Sequence, residues 1–367
     1  EGQEFVNEIS LTERPFFFEQ KGNYVFVGIR QAGKSYLLYQ RIQQLLREEH
    51  NINEIVYINF DDERLRQMTA DDLDLILQAY HSLFDLRPLL FFDEIQNIEG
   101  WEHFARRLAN QKYNIYITGS NAKMLSREIA TTLGGRFWNK DVYPYSFAEY
   151  LNARNIILSK NWIYGKQAAE VSKAFNDYFL YGGFPELTDV IAKRVWLNDI
   201  YSKIFFSDLI VRNKVRNEEA LGLLVRRLAE NVKQPISYTR LANLISSIGI
   251  KISKATVIEF IRYLKESCLI FPIENYAAKF AERNSNMKHY FIDNGLLSIF
   301  LLDGNTSLLE NIVAIHLYKR YGAQLYFYNQ NIEVDFIIPE AKTAIQVSYS
   351  LMDETTCRRE VEGLIKL

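Results

Sequence analysis

Apolar and polar positions over the first 145 residues switch between two periods. Short β-rich runs at 24–27, 55–60, 89–92, 115–118 and 137–143 are separated by stretches with helical spacing. In the first such stretch Leu37, Leu38, Ile42, Leu45 and Leu46 line one face of a helix that follows Lys34. Strands alternating with helices predict an α/β domain: a parallel sheet with helices on both faces. Pro144 breaks the last run, Ser146 opens a new helix, and Glu149, three residues on, completes a capping box.

From 146 to 235 the spacing is helical, interrupted by Tyr181-Gly182-Gly183-Phe184-Pro185-Glu186, which must turn. Between 236 and 275 two short helices and a strand are expected. Leu241, Leu244 and Ile245 line the first helix. Ser253 caps the second, with Val257, Ile258, Ile261 and Leu264 on one face, and a β-wing follows at 269–273. A helix at 308–321 and strands at 325–328, 334–338 and 344–349 complete the pattern.

Composition narrows the class. The 367 residues are 48% hydrophobic, enough for more than one buried core and too apolar for a disordered chain. The longest apolar runs fall short of a membrane span, and the opening Glu1-Gly2-Gln3-Glu4 does not look like a secretory leader. Two cysteines, Cys268 and Cys357, and five scattered histidines give no zinc or disulfide spacing, so a cytoplasmic protein is expected. The net charge is −2, but residues 191–290 hold 17 Lys or Arg against 9 Asp or Glu. That local excess suits DNA or another anionic partner, or is simply a solvated basic face.

The sharpest chemical signal is Gly28-Ile29-Arg30-Gln31-Ala32-Gly33-Lys34-Ser35, which fits GxxxxGK[ST] between a strand and a helix. Its glycines let backbone N–H groups turn toward phosphate oxygens. Lys34 would reach the β- and γ-phosphates, and the Ser35 hydroxyl would ligate Mg²⁺. The run 89–92 then delivers Asp93 to the same Mg²⁺ and Glu94 to an attacking water as general base. An additional strand between these halves in sequence, 55–60, together with Glu94, points to ATP hydrolysis rather than to kinases or Ras-like GTPases. Ser120 and Asn121, after the strand at 115–118, are candidates to contact the γ-phosphate or the water, or else the polar members of a turn. Arg136 is a candidate transition-state cation, within its own subunit or on a neighbour, or else a surface ion-pair partner.

These residues, with Phe91-Phe92-Asp93-Glu94-Ile95-Gln96, Ile117-Thr118-Gly119-Ser120, Gly135-Arg136 and Pro144-Tyr145-Ser146-Phe147, resemble the prokaryotic AAA-type ATPases related to archaeal ATPases. Gly182-Gly183-Phe184-Pro185-Glu186, Phe291-Ile292-Asp293-Asn294-Gly295-Leu296 and Glu333-Val334-Asp335-Phe336 extend the resemblance over nearly the whole chain. It implies an ATPase core at 1–145, a helical segment at 146–235, a winged helix at 236–289 and a PD-(D/E)xK nuclease-like domain at 290–367. The nuclease pattern is degenerate: Glu310 and Asp335 fit, but Gln346 and Ser348 stand where a carboxylate and a lysine are needed, so cleavage is not expected. In the winged helix Lys251, Lys254, Arg262 and Lys265 would face DNA phosphates, unless the element only packs against protein. Three functions follow: an ATPase acting on or beside nucleic acid, an ATP-dependent switch or scaffold that binds protein partners or itself, and, least supported, an ATP-regulated nuclease.

Overall fold

All five residues of β1 (Asn23–Val27) are buried, a run without alternation that suits a strand covered on both faces. In the computed structural model, which describes residues 6, 9–283, 285–352 and 354–365, β1 lies inside a five-stranded parallel sheet. Its partners are β2 (Ile55–Asn59), β3 (Leu89–Asp93), β4 (Asn114–Gly119) and β5 (Phe137–Asp141), in the order β2-β3-β4-β1-β5. The connecting helices are α1 (Lys34–Arg47), α2 (Asp74–Leu83), α3 (Trp101–Asn110) and α4 (Arg127–Leu133). This is the expected P-loop α/β fold. The strand at 55–60, placed between the two motif strands in sequence, goes to the sheet edge, and β4 is the strand that separates β1 from β3. Because the strands run parallel, the ends of β1, β3 and β4 emerge on one rim, where the loops at 28–33, 94–97 and 120–121 gather.

The chain divides after Tyr143 into two units. The second opens with α5 (Phe147–Ala153), where Ser146 and Glu149 form the expected capping box. It continues through α6 (Gln167–Tyr181), α7 (Lys193–Lys203), which runs on as a π-helical stretch at Ile204–Val211, and α8 (Glu218–Glu230). Next come β6 (Ile236–Ser237), α9 (Tyr238–Ser246) and α10 (Lys254–Glu266). Ser253 caps α10 as expected, but the buried face carries Phe260, while Ile258 is exposed, because 257, 260, 261 and 264 keep the stricter helical spacing.

The expected wing is larger than a wing. β7 (Ile270–Asn275) pairs antiparallel with β8 (Asn286–Phe291) and parallel with β9 (Tyr326–Asn329), inside one six-stranded sheet of order β11-β10-β9-β7-β8-β6. Here β10 is Glu333–Ile338 and β11 is Thr343–Ile345. β8 straddles the boundary expected at 290, so strands assigned to two domains share hydrogen bonds. β11 stops short of the expected 344–349 because side chains take over its ladder. Gln346 Oε1 accepts from the Asp335 N–H at 3.1 Å, and the Val347 N–H donates to Asp335 Oδ2 at 3.0 Å.

The two remote motifs of this unit meet. Asp293, just after β8, accepts the Gly183 N–H at 2.8 Å and, at the start of α11 (Asn294–Ser298), the Gly295 N–H at 2.8 Å. A Cβ on Gly182, whose φ is +78°, would lie 1.9 Å from Asp293 Oδ1, so this turn requires glycine. Burial pushes the Asp293 carboxyl up to about 6 despite these N–H donors. Asn311 of α12 (Asn305–Tyr321) closes the packing by accepting from Phe291 N–H and donating to its carbonyl. The last helix is α13 (Glu354–Ile365). Among the described residues no helix is long and apolar enough to cross a membrane. The opening Glu1-Gly2-Gln3-Glu4 lies outside the described residues.

Candidate functional site

Two glycines shape the loop between β1 and α1. A Cβ on Gly28 would lie 1.9 Å from the Val142 carbonyl oxygen, so only glycine lets the chains pass this closely. Gly33 turns with φ +88°, in the left-handed region, and lets α1 start at Lys34. Ile29 and Ala32 are buried, Arg30, Gln31 and Ser35 are half-buried, and Ser35 lies in the first turn of the helix. Gln31 is also left-handed, at φ +60°, so the loop folds back on itself.

Lys34 curls into that loop. Its ammonium donates to the carbonyls of Gly28 at 3.2 Å and Ile29 at 3.1 Å and lies 3.5 Å from Glu94 Oε1. The loop and the end of β3, more than fifty residues apart, therefore converge on one nitrogen. Asp93 is buried, with each oxygen held: Thr118 donates to Oδ1, and the Tyr57 hydroxyl donates to Oδ2 at 2.7 Å. Glu94 adopts a left-handed backbone, φ +53°, a conformation that costs a non-glycine residue about 1 kcal/mol or more and that turns its side chain off the strand direction. The Thr118 hydroxyl accepts the Glu94 N–H at 3.0 Å, and the Gln96 amide donates to Glu94 Oε2. Burial alone would raise the Glu94 carboxyl, but the Lys34 ammonium and the bonds from Gln96 and Ser120 outweigh it and hold it below the usual range. It is a carboxylate fixed in its ionised form. Asp93 and Ser35 are both oxygen donors on the same rim, the hard ligand type that Mg²⁺ takes.

The other candidates are placed differently. Ser120 is buried and accepts from the Gln96 amide at 3.3 Å, at the back of the site. Asn121 accepts the Lys123 N–H at 2.8 Å and so caps a short turn. Arg136 does not reach the phosphate loop of its own chain. It precedes β5, where Phe137 registers with Asn23 at the start of β1, and the loop begins only after Val27, about 13 Å further along the strand. There it is exposed and donates to the Gly134 carbonyl.

Arg14 escaped the sequence reading. Buried, it donates to the Ala32 carbonyl at 3.2 Å and the Tyr143 carbonyl at 3.0 Å, while its own backbone exchanges two 2.9 Å bonds with the Gln40 side chain. It ties the loop to α1 and to the end of the unit. Nothing in the surrounding residues 9–18 carries a period that would mark it.

In the second unit Glu310, Asp335, Gln346 and Ser348 line one cavity of about 980 Å³. The residue that organises it is Lys288 of β8. Its ammonium, fully buried, lies 3.1 Å from Asp335 Oδ1, 3.2 Å from Glu310 Oε1 and 3.5 Å from Glu333 Oε1. Burial would lower the ammonium, but the three carboxylates outweigh it and hold it above the usual lysine range. Glu310 is pushed up to about 7, first by burial. Lys288 and His289 interrupt the apolar run 287–291, so no local pattern marks the strand that carries this lysine.

Comparison with known proteins places these features. Residues 20–151 match a family described as AAA domain, and residues 172–307 match a domain of unknown function, DUF8612. The uncharacterized protein MJ1544 of Methanocaldococcus jannaschii is 35% identical over 351 residues, covering 93% of this chain and 78% of its own. An uncharacterized protein of Haemophilus influenzae is 30% identical, covering 94% of this chain and 86% of its own. Among solved structures the Walker-type ATPase PABY2304 of Pyrococcus abyssi matches at 14% identity and TM-score 0.47, covering 76% of this chain and 90% of its own.

Proposed function

The chain is an AAA-domain protein of the family that the Methanocaldococcus jannaschii and Haemophilus influenzae relatives represent, and from that premise we propose that it binds ATP with Mg²⁺ and hydrolyses it. The observation that carries this reading is the Lys34 ammonium of the phosphate loop lying 3.5 Å from Glu94, the residue that directly follows Asp93 at the end of β3. On binding, the Lys34 ammonium exchanges two loop carbonyls for the β- and γ-phosphate oxygens, while the loop N–H groups and the start of α1 face the same charge. Mg²⁺, when bound, neutralises phosphate charge, and Ser35 and Asp93 are the residues that would hold it. Thr118 and Tyr57 keep the Asp93 oxygens oriented. Glu94, freed from Lys34 by the phosphates, takes the proton of the attacking water, and Gln96 steadies its other oxygen. Arg136 is too far from its own loop, so a role as transition-state cation falls to it only toward a neighbouring copy.

DNA is the partner we propose for the second unit. Lys251, Lys254, Arg262 and Lys265 are all exposed on or beside α10, although Glu259 and Glu266 stand 3.9 Å from Arg262 and dilute the charge. A second reading, a nucleotide-gated switch with negligible turnover, is favoured by the distance of Arg136 from the site. Phosphate release from ATP by the purified protein, with and without single- and double-stranded DNA, separates them. Mg²⁺-dependent release that DNA accelerates supports the ATPase acting on nucleic acid. ATP binding without release supports the switch, and absence of binding removes both.

A further inference from the structure

We propose that Lys288 is a built-in cation that occupies the position of a divalent metal among Glu310, Glu333 and Asp335, so that the cavity of the second unit works without a metal and takes up none while the lysine is present.

Glu310 and Asp335 are buried, and Glu333 is partly open to the cavity, so three carboxylates converge where water cannot fully screen them. Such a group calls for a compensating cation, because buried carboxylates left without one are strongly disfavoured. What marks a cation position is the nitrogen at its centre. Lys288 Nζ lies 3.1 to 3.5 Å from one oxygen of each carboxylate, and its side chain is fully buried, so it is reached by nothing but its own neighbours.

The neighbours hold the acids in that arrangement. The Tyr290 hydroxyl donates to the same Glu310 oxygen that Lys288 contacts, at 2.7 Å, and the Val347 N–H fixes Asp335 from the other side. The lysine comes from β8, the glutamates from α12 and β10, and the aspartate from β10, so three elements close on one ammonium. Phe327 places its ring 5.6 Å from Nζ, an aromatic face that favours an organic cation and offers no ligand to a metal. An ammonium and a divalent ion cannot share the point. With Lys288 present, a metal would have to expel a buried charge first. With it absent, three carboxylates of the hard-oxygen type that Mg²⁺ and Mn²⁺ prefer would be left facing one another.

The test uses the full chain without nucleotide, so that the phosphate loop contributes no metal site, and reads thermal stability and calorimetric uptake with Mn²⁺ as the probe. Lys288→Met should melt lower than wild type and be raised by Mn²⁺ by about 5 °C or more, through binding that the folded state alone can make. Wild type and Lys288→Arg, which keeps the cation, should show no Mn²⁺-dependent shift. Adding Asp335→Asn to Lys288→Met should abolish the rescue. If Lys288→Met is too unstable to purify alone, its recovery in soluble form only when Mn²⁺ is present is the same result. Mn²⁺ uptake by wild type that Asp335→Asn removes would overturn the proposal, and so would a Lys288→Met protein indifferent to Mn²⁺.

Discussion

Each unit places a lysine ammonium against carboxylate, and the two lysines are held in opposite ways. Lys34 has two neutral carbonyls and a single carboxylate at 3.5 Å, partners that a phosphate can outbid. Lys288 has three carboxylates at 3.1 to 3.5 Å and no exposed atom. Both lysines are buried, but the charge that must exchange partners has one carboxylate and two neutral carbonyls, whereas the charge that only balances others is saturated by three carboxylates. The same side chain therefore serves ligand binding in one unit and cohesion in the other.

The largest break in that contrast should come from removing Lys288. Lys288→Met leaves the carboxylates unpaired and should cost about 4 kcal/mol in urea unfolding. Lys34→Ala should cost less than Lys288→Met, since Lys34, although buried, faces one carboxylate and two neutral carbonyls rather than three carboxylates. Equal losses in the two variants would erase the distinction.

Acid should sharpen it next. His289, the neighbour of Lys288 on β8, is fully buried, and burial together with the nearby Lys265 lowers its imidazole to about 4. The unfolded chain takes up that proton near the ordinary value of about 6.5, the folded chain only near 4, so its contribution is intact above 6.5 and is lost as pH falls toward 4. The loss should reach about 3 kcal/mol. Glu310, raised to about 7, slopes the other way: its contribution is present at low pH and is lost as pH rises through 7. The clean readout is therefore the difference between wild type and His289→Leu across this range. A difference that does not change with pH would show that His289 takes up its proton over the same pH range in the fold as in the unfolded chain.

Glu94→Gln should keep ATP bound yet slow its hydrolysis at least tenfold, because an amide cannot accept the proton of water. Wild-type turnover in this variant would move the base elsewhere. Arg14→Ala should have the smallest effect, weakening ATP affinity several-fold through a loosened loop, on the scale of about 1 kcal/mol per hydrogen bond lost. Titration of ATP into the variant checks it, and an unchanged affinity would mean that α1 alone holds the loop.

The same contrast explains what could be read from residues alone. The phosphate loop is contiguous, and its partners sit at the end of an unbroken apolar strand, so local pattern exposes both. β1 to β5 and α1 were legible for that reason. The Lys288 cluster draws on β8, β10 and α12, and no window of sequence contains it. β8 itself hid because a lysine and a histidine interrupt its apolar run, and β11 looked longer because Gln346 and Asp335 replace ladder bonds with side chains. Glu310 and Asp335 were named as a pair without the cation that joins them. Arg136 precedes β5 whereas the loop follows β1, so in a parallel sheet the two lie at opposite ends of neighbouring strands.

Whether Lys34 faces phosphate is tested most directly by calorimetric titration of Mg²⁺-ATP into Lys34→Ala. The prediction is an affinity at least roughly a hundredfold below wild type in a chain that is still folded, since the loop loses the cation that meets the β- and γ-phosphates. An affinity equal to that of the wild type would contradict it.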